Sequence, residues 1–209
     1  MELFRRWLDL ETKIEIYGSG TNRSTRVIWT ADELGLGYKL IATEELIADP
    51  ELRSLHPQGK IPSARVGDLM LFESVAICEY LCDIHPNNRL LGESGSVDRA
   101  IHTQWTSFAQ SEIEAYLWHN FQLDRNSQEA NSFARVKDLN IGIALSGLNV
   151  INDHLKNSEY FGGSLFTLTD ILVGWTLNWA RRLELIEEFP AIKAYLARLM
   201  SRPQCSLAK

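Results

Sequence analysis

The sequence predicts two domains of different class, an α/β domain followed by an all-helical one. Residues 13–41 carry strand, helix and strand signals in turn, and a hairpin and a helix follow. Beyond the mid-nineties only helical periodicity is present, and 209 residues suffice for two domains with sizeable cores. The expected division is an N-terminal extension at 1–12, an α/β domain at 13–86, a linker at 87–95 and a helical domain at 96–209.

The first strand and helix have clear boundaries. Lys13 to Tyr17 alternates polar and apolar residues and is followed by Gly-Ser-Gly, which predicts a strand and a turn. Ser24 to Leu34 carries apolar residues at helical spacing, and Gly35 is a typical helix end. A second short strand is predicted at Tyr38–Ile41.

A hairpin and a helix complete the α/β domain. Ile61–Val66 and Leu69–Phe72 have strand character, and the Gly-Asp pair between them predicts a tight turn. Helical spacing then begins after Glu73 and extends over Val75–His85, where a proline follows. The order strand, helix, strand, hairpin, helix is that of a thioredoxin-like domain.

The second half has four segments with helical periodicity. One of them opens with Thr167, and Asp170 stands three positions later, which is the spacing of a reciprocal capping box. The segments are Val97–Phe121, Ser132–Leu155, Thr167–Arg182 and Pro190–Ser201.

Composition excludes several classes of function. A net charge of −6 argues against a nucleic-acid or anionic-membrane partner, which would need a basic face. No window approaches the roughly 18 apolar residues of a membrane span, and the N-terminus lacks a secretory apolar region. Three cysteines are too few for a disulfide framework, and Cys78 and Cys82 lack further ligands at zinc spacing, so no metal is expected. A cytoplasmic location is the default expectation.

The most informative motif is His-Pro-Gln-Gly-Lys-Ile-Pro at residues 56–62, followed by Phe-Glu-Ser ending at Ser74. Ile61 can offer its backbone N–H and C=O to an extended ligand, as an edge strand does. Glu73 and Ser74 would stand at a helix N-terminus, where free N–H groups and the positive end of the dipole favour a carboxylate. A proline before a strand and a capped helix also occur in many unrelated α/β proteins, but their combination at this spacing predicts a site for a small peptide.

This motif resembles the glutathione-binding core of the cytosolic glutathione S-transferases, which usually reads Asn-Pro-x-Gly-Lys-Val-Pro and then Glu-Ser-x-Ala-Ile. The chain departs from it only at His56 and Ile61. The capping box and the ending from Phe189 to Pro203 are similar to the same family. The resemblance runs from about Lys13 to the end and favours bacterial-type members with a Ser/Thr-type active loop. It implies a thioredoxin-like N-terminal domain and an all-helical C-terminal domain.

The resemblance also implies an activity. Such proteins bind glutathione as a co-substrate without a metal, stabilise its thiolate, conjugate it to small hydrophobic electrophiles and form homodimers. Alternatives are a glutathione-dependent peroxidase, dehalogenase or isomerase, or a non-catalytic glutathione- or protein-binding adaptor of the same fold. Isomerase relatives carry Ser-Ser-Cys-Ser where this chain has Thr-Asn-Arg-Ser at residues 21–24, which counts against that branch.

The thiolate partner is expected in the loop after the first strand. In relatives that use serine or cysteine there, the active residue lies fourteen positions before the glycine that closes the first helix. Counting back from Gly35 gives Thr21, with Asn22 as the next candidate and Ser19 as a third. These residue types also cap helices regardless of function, and for Ser24 capping is the expected role.

The remaining site residues are carried over by position. The resemblance implies that Lys60 pairs with the glycine carboxylate of glutathione, that Pro62 is cis, and that Ser107 reaches the neighbouring subunit's ligand. The full glutathione-binding set is Lys60, Ile61, Pro62, Glu73, Ser74 and Ser107. The expected electrophile pocket is Trp105, Phe108, Ser111 and Trp175, although aromatic residues at helical spacing more often belong to a core.

Overall fold

The structure is a computed structural model that describes residues 13–42, 54–85, 88–126 and 133–207. The chain divides into two compact units. One holds the described residues of Met1–Leu91 together with those of Arg202–Lys209, and the other is Gly92–Ser201. The expected extension at 1–12 lies outside the described residues, and the expected domain boundaries stay a prediction.

In the described part of the first unit, four strands form a mixed sheet of order β2-β1-β3-β4. Strand β2 is parallel to β1, and β3 is antiparallel to both β1 and β4. The third strand begins two residues later than predicted, because Pro62 has no N–H to donate to a ladder. The elements are β1 (Ile14–Tyr17), α1 (Ser24–Leu34), β2 (Lys39–Ile41), β3 (Ser63–Val66), β4 (Leu69–Phe72) and α2 (Ser74–Ile84).

The core of this unit lies between the sheet and the two helices. Helix α1 packs against α2 and β1, and α2 also packs against β3 and β4. Fully buried side chains of both layers fill the interface, including Ile16, Trp29 and Ile77. Because these apolar residues follow a period of two in the strands and about four in the helices, the sequence pattern was sufficient to predict the layer.

The end of the chain joins the first unit through an ion pair. The Arg202 guanidinium donates to both carboxylate oxygens of Glu33 on α1, from Nε over 2.9 Å and from Nη2 over 2.8 Å. The Trp29 indole N–H donates to the same carboxylate over 3.0 Å. Bidentate pairs of this kind have a fixed geometry, so the contact holds the last turn of α1 to the chain end.

The second unit is all-helical, as predicted. Within the described ranges, no helix is long and apolar enough to cross a membrane. Its elements are α3 (Val97–Ala109), a π-helical segment (Gln110–Glu114), α4 (Ala115–Asn126), α5 (Ala134–Leu155), α6 (Leu168–Arg182) and α7 (Pro190–Met200). Residue 132, the predicted start of α5, lies outside the described residues.

The prediction of one continuous helix over Val97–Phe121 is wrong, because the π-helical segment interrupts it. Helix α5 approaches this segment so closely that a Cβ on Gly147 would lie 2.7 Å from Ile113 Cγ1 and 3.1 Å from the Glu112 carbonyl oxygen. The segment also places the buried Glu114 where Thr176 donates to it over 2.7 Å. Apolar spacing alone does not reveal such a wide turn, because it depends on the packing partner.

The capping box predicted at the start of α6 is formed. The Thr167 N–H donates to the Asp170 carboxylate over 2.8 Å. Asp170 is fully buried, and it also accepts hydrogen bonds from the Phe161 N–H and the Tyr195 hydroxyl. Burial raises the pKa of Asp170, while these hydrogen bonds act in the opposite direction.

Candidate active site

The predicted site residues of the first unit meet at one edge of the sheet. Tyr17 pairs with Ser63, and Ser63 pairs with Phe72, so these three residues form one row across β1, β3 and β4. Strands β1 and β4 run in the same direction and leave the sheet beyond this row, whereas β3 enters it there. The loop at 18–23, the Ile-Pro pair at 61–62 and the Glu-Ser pair at 73–74 therefore lie side by side.

Two helix N-termini also converge at this edge, because α1 follows β1 and α2 follows β4. The Nη1 atom of Arg26, in the first turn of α1, lies 3.3 Å from Oγ of Ser74, the first residue of α2. Helix N-termini expose unpaired N–H groups and carry partial positive charge. This edge of the sheet is therefore suited to bind an anion.

Asn22 holds the loop between β1 and α1. Its Nδ2 donates to the Ser19 carbonyl over 2.5 Å, and its Oδ1 accepts from the Ser24 N–H over 2.9 Å. The expectation that Ser24 caps α1 is wrong, because its buried hydroxyl has no hydrogen-bond partner among the described residues. Arg23 is the N-cap residue of α1, and the first N–H of the helix, that of Ser24, donates to Asn22 Oδ1. The Thr21 side chain is exposed.

Gly18 brings this loop against the strand end at Ile61. Its φ is +122°, a conformation that residues with a Cβ rarely adopt. A Cβ built there would lie 2.3 Å from Ser24 Oγ and 3.1 Å from Ile61 Cβ. Only glycine therefore allows the loop, α1 and Ile61 to pack this closely.

The Ile61–Pro62 peptide bond is cis, as predicted. His56 stabilises the preceding turn, since its Nδ1 accepts from the Gln58 N–H over 3.0 Å. An asparagine Oδ1 would accept the same hydrogen bond, which explains how histidine replaces the usual residue of the motif. The His56 ring is buried and lies 5.0 Å from the Phe72 ring, and this burial lowers its pKa.

Glu73 carries backbone strain at the start of α2. Its φ of 70° and ψ of 114° fall outside the regions that non-glycine residues prefer, although its side chain is exposed. Such residues cost about 1–3 kcal/mol each and cluster at ligand-binding sites. The neighbouring Ser74 is buried, and Lys60 lies exposed in the segment before the cis peptide.

The other predicted site residues lie in the helical unit. Trp105 is half-buried and packs on His154, with ring centroids 4.5 Å apart, and edge-on against Phe108 at 5.8 Å. Trp175 is buried on α6 and lies 5.5 Å from Trp179. Ser107 is exposed on α3, and Ser111 is exposed in the π-helical segment.

Sequence reasoning missed Arg26, which is fully buried. Arginines on amphipathic helices are normally exposed, so the residue type did not indicate that Arg26 is buried. One available signal was its spacing, because Arg26 lies three residues before Trp29 and four before Thr30 on the buried face of α1.

The three cysteines, Cys78, Cys82 and Cys205, are all buried. In the described part of the chain, no three His, Cys, Asp or Glu side chains are grouped to hold a metal ion. Cys78 is fully buried, and burial raises the pKa of its thiol to about 12. A thiol with this pKa is protonated at neutral pH and is a poor nucleophile.

Comparisons with known proteins match this architecture. The family description "Glutathione S-transferase, N-terminal domain" matches residues 17–89, and "Glutathione S-transferase, C-terminal domain" matches residues 142–203. Glutathione S-transferase 3 of Schizosaccharomyces pombe is 26% identical over 200 residues, covering 90% of this chain and 83% of the relative. Elongation factor 1-gamma of Prunus avium is 30% identical over 74% of this chain, which spans only 37% of that relative.

Solved structures share the fold. A glutathione transferase family member from Pseudomonas fluorescens pf-5, with two glutathione bound, is 28% identical with a TM-score of 0.81, covering 97% of this chain and 95% of the other. A glutathione S-transferase from Xylella fastidiosa has a TM-score of 0.82 at 24% identity, covering 93% and 96%. With both domain families matched in order, the chain belongs to the cytosolic glutathione S-transferase superfamily.

Proposed function

We propose that this protein is a glutathione transferase, which binds glutathione, stabilises its thiolate and conjugates it to small hydrophobic electrophiles. The observation that carries the proposal is the convergence of two helix N-termini and the Ile61 strand end at one edge of the sheet. That edge offers an extended backbone for a peptide and partial positive charge for its carboxylates. The relative from Pseudomonas fluorescens, which has two glutathione bound, supports the same ligand.

Each part of glutathione has a proposed partner at this edge. The backbone of Ile61, before Pro62, binds the cysteinyl residue, as an edge strand binds a peptide. Glu73 and Ser74 hold the γ-glutamyl end at the N-terminus of α2, and Lys60 pairs with the glycine carboxylate. We also propose a cytoplasmic homodimer in which Ser107 reaches the partner's ligand. The pocket of Trp105, Phe108, Ser111 and Trp175 stays a prediction.

Thr21 is the proposed thiolate partner. Both polar ends of Asn22 already hold the loop, which favours Thr21 over Asn22 as the donor to the sulfur. Lowering a thiol pKa from about 8.5 to about 6.5 requires roughly 2.7 kcal/mol of preferential stabilisation of the anion. One hydrogen bond to a charged group contributes about 1.5–3 kcal/mol. A single threonine hydroxyl beside a helix N-terminus is therefore sufficient, and no metal is required.

The test is an ultraviolet difference titration of the bound glutathione thiolate between pH 5 and 9. We expect the bound thiol to ionise well below pH 8 in the wild-type protein. Thr21→Ala should raise this pKa by about 1–2 units without abolishing binding, because it removes one hydrogen bond to the anion. Thr21→Ser keeps a hydroxyl and serves as the matched control. An unchanged thiol pKa in Thr21→Ala would refute the assignment.

A second candidate function is non-catalytic binding of glutathione or a protein. The match to an elongation factor 1-gamma, at 30% identity over 74% of this chain, favours keeping it. The same titration separates the two, because an adaptor would bind glutathione without lowering its thiol pKa. Turnover of an activated aryl chloride with glutathione would exclude the adaptor.

A further inference from the structure

We infer that His56 is a positioning residue for glutathione: its neutral imidazole holds the turn from which Lys60 and Ile61 reach the ligand, and protonation of the ring weakens binding. The inference rests on the proposed function, because it assumes that glutathione binds at the strand end of Ile61. The motif usually has asparagine at this position, and an asparagine side chain does not titrate. The dependence on protons is therefore specific to a chain with histidine here.

The hydrogen bond from the Gln58 N–H fixes the protonation state of the His56 ring. Nδ1 of His56 accepts this hydrogen bond over 3.0 Å. An imidazolium carries a hydrogen on each ring nitrogen and accepts no hydrogen bond. The ring is therefore neutral in this structure, with its hydrogen on Nε2. Protonation would remove the acceptor, and the Gln58 N–H would lose this partner.

His56 also closes the turn through its backbone. The Gly59 N–H donates to the His56 carbonyl over 2.8 Å, and Gly59 has a φ of 60°. These two hydrogen bonds end on the same residue, one on its side chain and one on its carbonyl oxygen. Lys60 and Ile61 follow directly in the chain. Because the turn sets the direction in which this segment enters the site, we expect loss of the side-chain hydrogen bond to displace Lys60 and Ile61.

The surroundings of His56 determine where the ring takes up a proton. The ring is buried against Phe72, with centroids 5.0 Å apart. Burial is the largest influence on its pKa and lowers it from the ordinary value of 6.5. Among the described residues, the charged groups that act on the ring are Glu73, at the start of α2, which raises the pKa, and Lys60, which lowers it. The imidazole is therefore neutral at pH 7 and becomes protonated only below pH 6.5.

Protonation has two opposing effects on the binding of glutathione. A positive charge on the ring would attract the carboxylates of the ligand. Lys60 and Glu73 are exposed, however, and water and salt screen charges at such a surface. The lost hydrogen bond acts directly on the segment that is proposed to bind the ligand. We therefore expect protonation of His56 to weaken binding.

The test is calorimetry with S-methylglutathione between pH 7 and pH 5. This ligand has no ionisable thiol, so its sulfur cannot contribute to the pH dependence. We expect the affinity of the wild-type protein to fall about fivefold over this range, which is the effect of one lost hydrogen bond. In the acidic part of the range, binding should release protons, because the ligand favours the neutral ring. Titrations in two buffers of different ionisation enthalpy detect this release.

Two variants of His56 separate the acceptor from the proton. His56→Asn keeps an acceptor that does not titrate, so its affinity should equal that of the wild type at pH 7 and stay constant to pH 5. His56→Ala removes the acceptor and should bind about fivefold more weakly at both pH values. A His56→Asn affinity that falls as steeply as that of the wild type would overturn the inference, and so would wild-type affinity of His56→Ala at pH 7. If His56→Ala does not fold, the pH profile of His56→Asn alone decides.

His154→Gln is the matched control, because burial also lowers the pKa of His154, which lies on α5 of the other unit. It should leave the pH dependence of binding unchanged. Far-ultraviolet circular dichroism at each pH separates a loss of affinity from a loss of fold. A wild-type protein that binds neither glutathione nor S-methylglutathione at pH 7 would overturn the proposed function and this inference with it. Wild-type binding with an affinity that is constant from pH 7 to pH 5 would overturn only the role of His56.

Discussion

Replacing Asp170 by asparagine tests how strongly the helical unit depends on one buried carboxylate. Its Oδ1 accepts from the Phe161 N–H over 3.0 Å and from the Tyr195 hydroxyl over 2.8 Å. Its Oδ2 accepts from the Thr167 N–H over 2.8 Å and from the Thr167 hydroxyl over 3.1 Å. The carboxylate thus joins the loop before α6, the first turn of α6 and helix α7.

An asparagine keeps only one of the two acceptor oxygens. Its NH2 group must face either the Phe161 N–H or the Thr167 N–H, and the donor that it faces is left buried and unpaired. One such group costs about 1–3 kcal/mol, and the remaining hydrogen bonds weaken because they no longer end on a charge. Because asparagine is neutral, the variant avoids the free-energy cost of burying a charge, and this offsets part of the loss. We therefore expect Asp170→Asn to lower the free energy of unfolding by about 3 kcal/mol.

The assay is urea unfolding followed by tryptophan fluorescence, with a thermal scan beside it. At about 2–4 °C per kcal/mol for a chain of this size, the expected fall in Tm is roughly 6–12 °C. Asp153→Asn is the matched control, because this exposed aspartate pairs with Lys156 over 2.5 Å and should change stability by less than about 0.5 kcal/mol. A loss below about 1 kcal/mol in Asp170→Asn, or one no larger than the control, would refute the reasoning.

Three further perturbations test the edge of the sheet that is proposed to bind glutathione. Gly18→Ala should lower the free energy of unfolding by at least about 2 kcal/mol, because the new Cβ would lie 2.3 Å from Ser24 Oγ and the backbone φ is +122°. Wild-type stability in chemical denaturation would contradict this packing. The free energy of unfolding should fall less steeply in His56→Asn than in the wild type as the pH drops below 6.5, the ordinary pKa of histidine. The folded pKa is lowered by burial, so the unfolded state binds more protons in that window, and equal slopes in both proteins would exclude His56 as the cause. Asparagine keeps the acceptor for the Gln58 N–H, which makes it a clean substitution. Glu73→Gly should leave the free energy of unfolding unchanged or raise it by about 1 kcal/mol, because glycine relieves the strain at φ 70°. Glutathione affinity should fall at least tenfold, because the strained residue is proposed to serve binding. A clear loss of stability would contradict this reasoning.

Local sequence was sufficient where the physical cause is local. The turn after Tyr17, the left-handed Gly35 at the end of α1 and the capping box of Asp170 depend on residues within a few positions of each other. Their predicted positions were therefore correct to within one or two residues. The motif that ends at Pro62 indicated the family for the same reason, because its residues lie within one short segment of the chain.

Sequence reasoning failed at one local feature and at one long-range feature. The Ser24 hydroxyl does not cap α1, because the conformation of the loop, which residue types alone do not fix, brings the Asn22 Oδ1 to the Ser24 N–H. The π-helical segment at 110–114 lies against Gly147 of α5, which is distant from it in the chain. Apolar periodicity reports which face of a helix is buried but not how closely its partner approaches, so neither feature was predictable.

The sequence by itself determined the fold class, the family and the segments that form the proposed glutathione site. Only the tertiary structure decided how these segments meet, through the row of Tyr17, Ser63 and Phe72 and through the contact of Arg26 with Ser74, 48 residues apart. The physical reason is that helix, strand and turn preferences arise between near neighbours in the chain. The burial of a charge, by contrast, is fixed only when separate elements pack together.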